Sequence, residues 1–179
     1  MIVHIADNYE EMSRMAAERI IGAVREKPEA LLCFAAGATP LGTFRHLAAA
    51  AAEGRVSFER CRFVSLDEWV GLSGEDEGSC RETLDRHLFE PLGIRREQIR
   101  FFDGRSGDLA GECEGMDRFL ERHGPIDLMV LGIGMNGHLG FNEPGCRPDA
   151  GSHVAELDAV TRAVSVKYFS ERREVEAGM

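Results

Sequence analysis

The chain has 179 residues, of which 44% are hydrophobic and 29% are charged, a composition that predicts one globular domain over residues 1–179. The 31 acidic side chains outnumber the 21 basic ones and give a formal net charge of −10, which argues against nucleic acid or an anionic membrane as a partner. The N-terminus has no secretory signal pattern, no apolar run reaches the ~20 residues that span a bilayer, and the dispersed cysteines predict reduced thiols, so we expect a cytoplasmic protein without structural zinc.

Short apolar segments alternate with segments of helical periodicity along the chain. The predicted strands are residues 2–5, 30–34, 61–65, 99–102, 126–133 and 153–157. The predicted helices are residues 8–27, 40–53, 79–90, 109–123 and 159–168, and Ser79 with Glu82 has the spacing of a capping box. The continuously apolar segment 126–133 predicts a parallel strand that is covered on both faces. The alternation predicts an α/β fold, a doubly wound and mostly parallel sheet with helices on both faces.

Three polar segments directly follow predicted strands. They are GATP at 37–40, LDEW at 66–69 and GIGMNGHLGFNEP at 132–144. Loops that leave the carboxyl ends of strands in an open α/β sheet line one crevice, where ligands bind. We therefore expect the three loops to meet around one pocket.

The GATP turn is a candidate anion site. It follows a strand and opens a helix, so the backbone amides of Gly37, Ala38 and Thr39 can point at a phosphate group. The alternative is an ordinary strand-to-helix turn, in which glycine and threonine serve only geometry and capping. No Gly-Lys-Ser/Thr follows, so the turn is not a nucleotide-binding P-loop.

The LDEW segment places two carboxylates at the end of a buried strand. Partial burial would suit one of the two, Asp67 or Glu68, to act as a general base on a carbon acid. The alternative is that Asp67 caps a turn and that Glu68 is solvated or paired with a cation. Trp69 is expected to pack rather than to stack on a substrate.

The glycine-rich segment carries the most specific pattern. Its glycines, among them Gly137, let a ligand touch the backbone, while His138 and Glu143 lie close enough for the carboxylate to orient the imidazole. A structural histidine is the alternative. The spacing Gly132-x-Gly134-x-x-Gly137 is followed by no amphipathic helix, so nicotinamide binding is not expected, and no histidine pair has the spacing of a metal site.

At these residues the chain resembles the glucosamine-6-phosphate deaminase/isomerase family, which is related to 6-phosphogluconolactonases and has a modified doubly wound fold. The resemblance runs from the first strand to about Phe169, and GHLGFNEP is its most specific part. It implies hydrolytic deamination of glucosamine 6-phosphate to fructose 6-phosphate and ammonia, without a metal or another cofactor. A small sugar phosphate is the implied partner. Members range from monomers to hexamers, so homo-oligomer formation stays open, as does preference for glucosamine or galactosamine 6-phosphate.

The resemblance also assigns roles to residues. His138, assisted by Glu143 and Asn136, would open the sugar ring, and Asp67 would move the C2 proton to C1 through an enediol-type intermediate. Lys167 stands where relatives usually carry an arginine near the phosphate and can supply a charge but not a bidentate fork. Asn136 stands where many relatives carry aspartate, so it can only hydrogen-bond and orient.

The sequence stops at Met179, where relatives continue into another strand and helix with a phosphate-binding lysine. We therefore expect the domain to lack the family's C-terminal segment and its sheet to carry an unpaired edge. Two other functions stay open at this point. One is hydrolysis of a 6-phosphogluconolactone, which has little need of Asp67, and the other is sugar-phosphate binding without catalysis.

Overall fold

The computed structural model describes residues 1–169 and 175–179, in which strands and helices alternate as predicted. The helices are α1 (Tyr9–Glu26), α2 (Leu41–Ala52), α3 (Cys80–Leu84), α4 (Leu109–His123) and α5 (Ala159–Ser165). The strands are β1 (Leu31–Phe34), β2 (Arg62–Ser65), β3 (Ile99–Arg100), β4 (Leu128–Val130), β5 (Ala155–Glu156) and β6 (Ala177–Gly178). A π-helical turn at Asp85–Phe89 follows α3, and 3₁₀ turns lie at Arg96–Gln98 and Val166–Tyr168. No helix within the described residues is long and apolar enough to cross a membrane.

Four strands form one parallel sheet in the order β3-β2-β1-β4. Cys33 of β1 lies between Val64 of β2 and Met129 of β4 in the register. All four strands therefore end at the same edge, which is the edge where the three polar loops begin.

The central strands are covered on both faces, which confirms the predicted doubly wound architecture. Leu32 and Phe34 point into a core with α1, α2 and the π-helical turn, where Phe34 packs edge-on against Phe44 of α2 with ring centroids 5.8 Å apart. Leu31 and Cys33 point to the opposite face and pack with residues of α4. Alternate residues of one fully buried strand thus serve two cores.

Helix starts follow the predicted caps. The Asn8 side chain accepts a hydrogen bond from the Glu11 amide at 2.9 Å, and the Ser79 hydroxyl accepts one from the Glu82 amide at 2.9 Å. These bonds satisfy amides that have no partner within the helix. Pro40 occupies the N-cap position, one residue before α2, instead of the first position of the helix, and its side chain makes no capping hydrogen bond.

One strand prediction is wrong and another is wrong in part. Residues 2–5 form no strand, and Ile2 and Ile5 are 82% and 89% exposed, since this segment pairs with no strand among the described residues. The segment 126–133 is a strand only at Leu128–Val130 and is not covered on both faces, since Met129 is 42% exposed. Among the described residues, β4 pairs only with β1, which leaves it at the edge of the sheet.

A second, antiparallel sheet of β5 and β6 supports the loop after β2. Glu68 and Met179 exchange two backbone hydrogen bonds of 3.0 Å, and the Val70 amide donates to Ala177. The LDEW segment is therefore held on a short ladder, and its side chains are positioned by residues more than 100 positions away in the chain.

Candidate active site

The loops after β1, β2 and β4 meet at one cavity of about 400 Å³, which α5 and the turn behind it close from the side. The predicted residues on its wall are Gly37, Ala38, Thr39, Asp67, His138 and Lys167. The loops also touch, since a Cβ at Gly140 would lie 3.2 Å from Asp67 Oδ2. The predicted convergence of the loops is confirmed.

The 37–39 turn presents unused backbone donors. Within residues 1–169 and 175–179, the amides of Gly37, Ala38 and Thr39 make no hydrogen bond to another residue. Tyr9 fixes the turn from outside, because its hydroxyl donates to Thr39 O at 2.9 Å and accepts from the Gly42 amide at 2.9 Å. An anion in the cavity would therefore find preorganised N–H groups at the start of α2.

Asp67 is a buried carboxyl with an unusual pKa. Burial raises its pKa to about 7, a hydrogen bond from the Cys80 thiol lowers it, and the neighbouring Glu68 charge raises it. The Cys80 thiol keeps its proton, because burial and the two carboxylates raise its own pKa well above the ordinary value. A carboxyl that titrates near neutral pH in a cavity is suited to take and return a proton.

Glu68 is not solvated, and it forms no ion pair with a cation of residues 1–169 or 175–179, which corrects that alternative for the described part of the chain. It is completely buried, and its carboxylate accepts hydrogen bonds from the amides of Trp69, Cys80 and Arg81 at 2.8–3.0 Å. Burial raises its pKa, and these hydrogen bonds oppose that effect. Glu68 thereby ties the loop of Asp67 to the start of α3, which carries the Cys80 thiol.

The raised pKa of Asp67 predicts a pH-dependent cost to stability. The pKa of about 7 in the folded chain lies above the ordinary 3.8. The contribution of Asp67 to the free energy of unfolding is therefore fully present below about pH 4 and is lost as the pH rises toward 7. Asp67→Asn removes this titration and should raise the free energy of unfolding at pH 8 by up to about 4 kcal/mol. At about pH 4 the same substitution should have little effect. Urea unfolding at both pH values measures this, with the exposed Asp7→Asn as control, and an equal effect at both would contradict it.

His138 is held by a hydrogen-bonded network rather than by Glu143 alone. Its Nδ1 lies 2.7 Å from Asn136 Oδ1 and 3.1 Å from Thr161 Oγ1, whereas Glu143 Oε2 is 3.9 Å away. Asn136 Nδ2 donates to Glu143 Oε2 at 2.8 Å. The carboxylate therefore acts on the imidazole through Asn136, and neither Asn136 nor Glu143 lines the cavity.

The network determines which imidazole nitrogen carries the proton. The His138 backbone amide, which can only donate, lies 3.2 Å from Asn136 Oδ1, so this atom is the amide oxygen. An oxygen acceptor beside Nδ1 requires a proton on Nδ1, which leaves the lone pair on Nε2. The ring that borders the cavity is thus prepared to accept a proton at Nε2.

The Glu143 carboxyl stays ionised in this network. Partial burial raises its pKa, but hydrogen bonds from Thr161, Asn136 and the Asp158 amide, with the nearby His138, bring it below the ordinary value. A fixed negative charge behind Asn136 stabilises the imidazolium that forms when Nε2 takes a proton.

Two glycines of this loop have different functions. The His138 ring lies directly on Gly134, where any Cβ would fall within 2.4 Å of three ring atoms, so only glycine admits the imidazole. Gly137 does not line the cavity; its amide donates to Gly134 O at 2.9 Å and closes the turn before His138. Its predicted contact with substrate therefore has no support from the geometry.

The residues around Lys167 close one side of the cavity. Lys167 is exposed, and its Nζ lies 4.9 Å from the centre of the Tyr168 ring. The Tyr168 hydroxyl in turn approaches Gly37, where a Cβ would lie 3.4 Å from it. Trp69 is 95% buried and packs against Phe141 with ring centroids 4.3 Å apart, as predicted, and it also lines the cavity.

Sequence reasoning missed Cys80 and Thr161 as site residues. Cys80 contacts Asp67 from the start of α3, and Thr161 contacts His138 from the first turn of α5. The capping box beside Cys80 predicts a helix start and no role in the site, and the sequence around Thr161 predicts none for that residue either. Only the packing of distant segments brings them to the cavity.

Comparison with known proteins gives a consistent set of relatives. The family model described as glucosamine-6-phosphate isomerases/6-phosphogluconolactonase matches residues 6–140. The chain is 42% identical to a glucosamine-6-phosphate deaminase of Geobacillus sp. (strain WCH70) over 170 residues, covering 95% of the chain and 68% of that relative. It is 40% identical to a glucosamine-6-phosphate deaminase of Bacillus velezensis over 162 residues, covering 90% and 67%. The chain thus spans about two thirds of the length of these relatives.

Solved structures agree on the fold. A monomeric glucosamine-6-phosphate deaminase superposes with a TM-score of 0.95 at 34% identity, covering 99% of this chain and 74% of that one. A 6-phosphogluconolactonase from Thermotoga maritima superposes with a TM-score of 0.73 over 98% of this chain and 74% of that one, at 20% identity. The second likeness shows a shared fold alone.

Proposed function

The chain belongs to the family of glucosamine-6-phosphate isomerases and 6-phosphogluconolactonases, and on that premise we propose that it deaminates glucosamine 6-phosphate. The reaction consumes water and yields fructose 6-phosphate and ammonia. The relatives that share most of this chain carry the name of this activity.

One observation carries the proposal: a carboxyl with a pKa of about 7 and an imidazole with a free Nε2 border the same cavity. Isomerisation of an amino sugar requires a base for a carbon-bound proton and a separate group that opens the ring. Asp67 and His138 supply one of each. A lactone hydrolase would need no buried carbon base.

Ring opening is the first step for a cyclic substrate. His138 Nε2 takes the proton of the C1 hydroxyl and delivers a proton to the ring oxygen O5, so that the C1–O5 bond breaks and an aldehyde forms. The Nδ1–H bond to Asn136 keeps the ring in position throughout. The charge of Glu143 stabilises the imidazolium between the two transfers.

Transfer of a proton from C2 to C1 of the opened sugar follows. Asp67 in its ionised form takes the proton from C2 and returns it to C1, while the C1 oxygen gains a proton and the amino nitrogen gives one up, which converts the amino aldehyde into a ketimine through an enol-type intermediate. Water then adds to C2 and ammonia leaves. The pKa near neutrality lets one carboxyl both accept and release the proton.

The phosphate group is assigned to the part of the cavity wall formed by the 37–39 turn and Lys167. The free amides of the 37–39 turn and the Lys167 ammonium can bind its oxygens together. These groups act against a net charge of −10, so binding must be local rather than steered by the whole surface.

Release of ammonia from glucosamine 6-phosphate by the purified chain, with its intact mass checked, tests the proposal. Release that needs both Asp67 and His138 supports it. Hydrolysis of 6-phosphogluconolactone that survives Asp67→Asn would replace it with a lactonase. Binding of the sugar phosphate in a calorimeter without ammonia release would replace it with a non-catalytic binding protein.

The phosphate assignment makes a separate prediction. Lys167→Met should raise KM by about 10- to 100-fold and leave kcat nearly unchanged, because a charged hydrogen bond to a phosphate exists in the ground state and the transition state alike. Initial-rate measurements check this. Lys27→Met is the control, since Lys27 pairs with Asp127 outside the cavity wall. An unchanged KM would remove Lys167 from the phosphate site.

A further inference from the structure

A second pair of reactive side chains lies outside the cavity just described. Cys146 Sγ is 3.3 Å from His153 Nε2, and the thiol is only partly buried. The other four cysteines are 1–6% exposed. Among them, burial raises the pKa of Cys33 to about 12 and that of Cys61 to about 11, which leaves both thiols unreactive.

The geometry defines the proton positions in this pair. His153 Nδ1 lies 2.9 Å from Gly151 O, and a carbonyl oxygen can only accept, so Nδ1 carries the proton. The lone pair of Nε2 then faces the sulfur and is one of two acceptors for the thiol proton, the other being Asn142 Oδ1, which also lies 3.3 Å from the sulfur. Transfer of that proton gives a thiolate beside an imidazolium, and the thiolate is the form that attacks electrophiles.

The sulfur also contacts the segment that carries Glu143. It lies 3.3 Å from Asn142 Oδ1, and the Cys146 amide donates to Glu143 O at 3.0 Å. Both side chains that touch the sulfur, Asn142 and His153, line a second cavity of about 290 Å³. Cys146 itself does not line that cavity, but the residue is only partly buried, so a small reagent can reach it from solvent.

We propose that Cys146 and His153 form a site of reversible oxidation by hydroperoxides, which goes beyond the proposed function. The thiolate attacks the terminal peroxide oxygen; an S–O bond forms and the O–O bond breaks. The sulfur is oxidised by two electrons to a sulfenic acid. The imidazolium Nε2 of His153 gives its proton to the departing oxygen, which leaves as water or an alcohol. The oxidised sulfur no longer fits between Asn142 and His153, and the 142–146 segment loosens.

Labelling of the intact chain with a sulfenic-acid reagent after limiting hydrogen peroxide tests the site. We expect label on Cys146 first, with a thiol restoring the original mass. His153→Gln keeps a hydrogen-bond acceptor but cannot take up the proton, and it should slow oxidation of Cys146 by about tenfold or more. His87→Ala, at an exposed position of the π-helical turn, is the matched control and should leave the rate unchanged.

Amide hydrogen exchange, measured in two chains, completes the test without depending on enzyme activity. Oxidation should speed amide hydrogen exchange in residues 142–146 of the unaltered chain and leave exchange in Cys146→Ser as it was. Oxidation of Cys146 no faster than of the buried cysteines, or at the same rate in His153→Gln, would overturn the proposal. Unchanged amide hydrogen exchange after complete oxidation of Cys146 would show that oxidation does not loosen the 142–146 segment.

Discussion

Asp67→Asn should lower kcat for deamination by about 10³-fold or more, because general-base catalysis at carbon is worth about 10²- to 10⁴-fold and an amide cannot accept the proton. Substrate binding should change little, since asparagine keeps the size and position of the side chain. Ammonia release gives the rate, and calorimetry gives the affinity. In the unaltered chain, kcat should rise with pH through about 7, where the Asp67 carboxyl ionises.

Isotope exchange separates loss of the base from a general loss of structure. In heavy water the unaltered chain should exchange deuterium into C2 of the substrate, and Asp67→Asn should not. The exposed Asp7→Asn serves as control and should behave as the unaltered chain does. Persistent exchange at C2 in Asp67→Asn would show that another group is the base.

His138→Ala should lower kcat/KM for the ring-closed substrate by about 10²-fold or more, because the proton transfers at the C1 hydroxyl and O5 lose their relay. An open-chain analogue, in which the ring-closing hydroxyl is blocked, needs no ring opening and should lose much less. The ratio of the two rates measures the effect.

The control for this comparison is His87→Ala, which removes an exposed imidazole from the π-helical turn. It should alter neither rate. Equal losses on the closed and open substrates in His138→Ala would remove His138 from ring opening and leave it a general structural part of the site. The raised pKa of Asp67 should persist in this variant, since burial of the carboxyl is its largest cause.

The parts of the fold that were predictable depend on neighbouring residues. Short, mostly apolar segments predict the strands Leu31–Phe34 and Arg62–Ser65. The spacing of Ser79 and Glu82 predicts the start of α3. Each of these patterns is complete within a few positions. The order of strands and helices, and the loops that carry chemistry, follow from them.

The wrong predictions arise where contacts between residues far apart in the sequence determine the structure. Residues 2–5 have a strand pattern but pair with no strand among the described residues, and β4 in the apolar segment 126–133 pairs there with one neighbour instead of two. Glutamate is usually found at the surface, yet Glu68 is buried, because backbone amides at the start of α3 donate hydrogen bonds to its carboxylate. Such partners are set by packing, which no local pattern records.

Residue types and their place after strands were enough to indicate an anion turn, a carboxylate and an imidazole, because side-chain chemistry belongs to each residue alone. The protonation states of these side chains could not be predicted from the sequence. The pKa of Asp67 depends on burial and on Cys80, and the tautomer of His138 depends on Asn136, Thr161 and Glu143. Protonation reflects the electrostatic surroundings within a few ångströms, and only the folded chain brings those surroundings together.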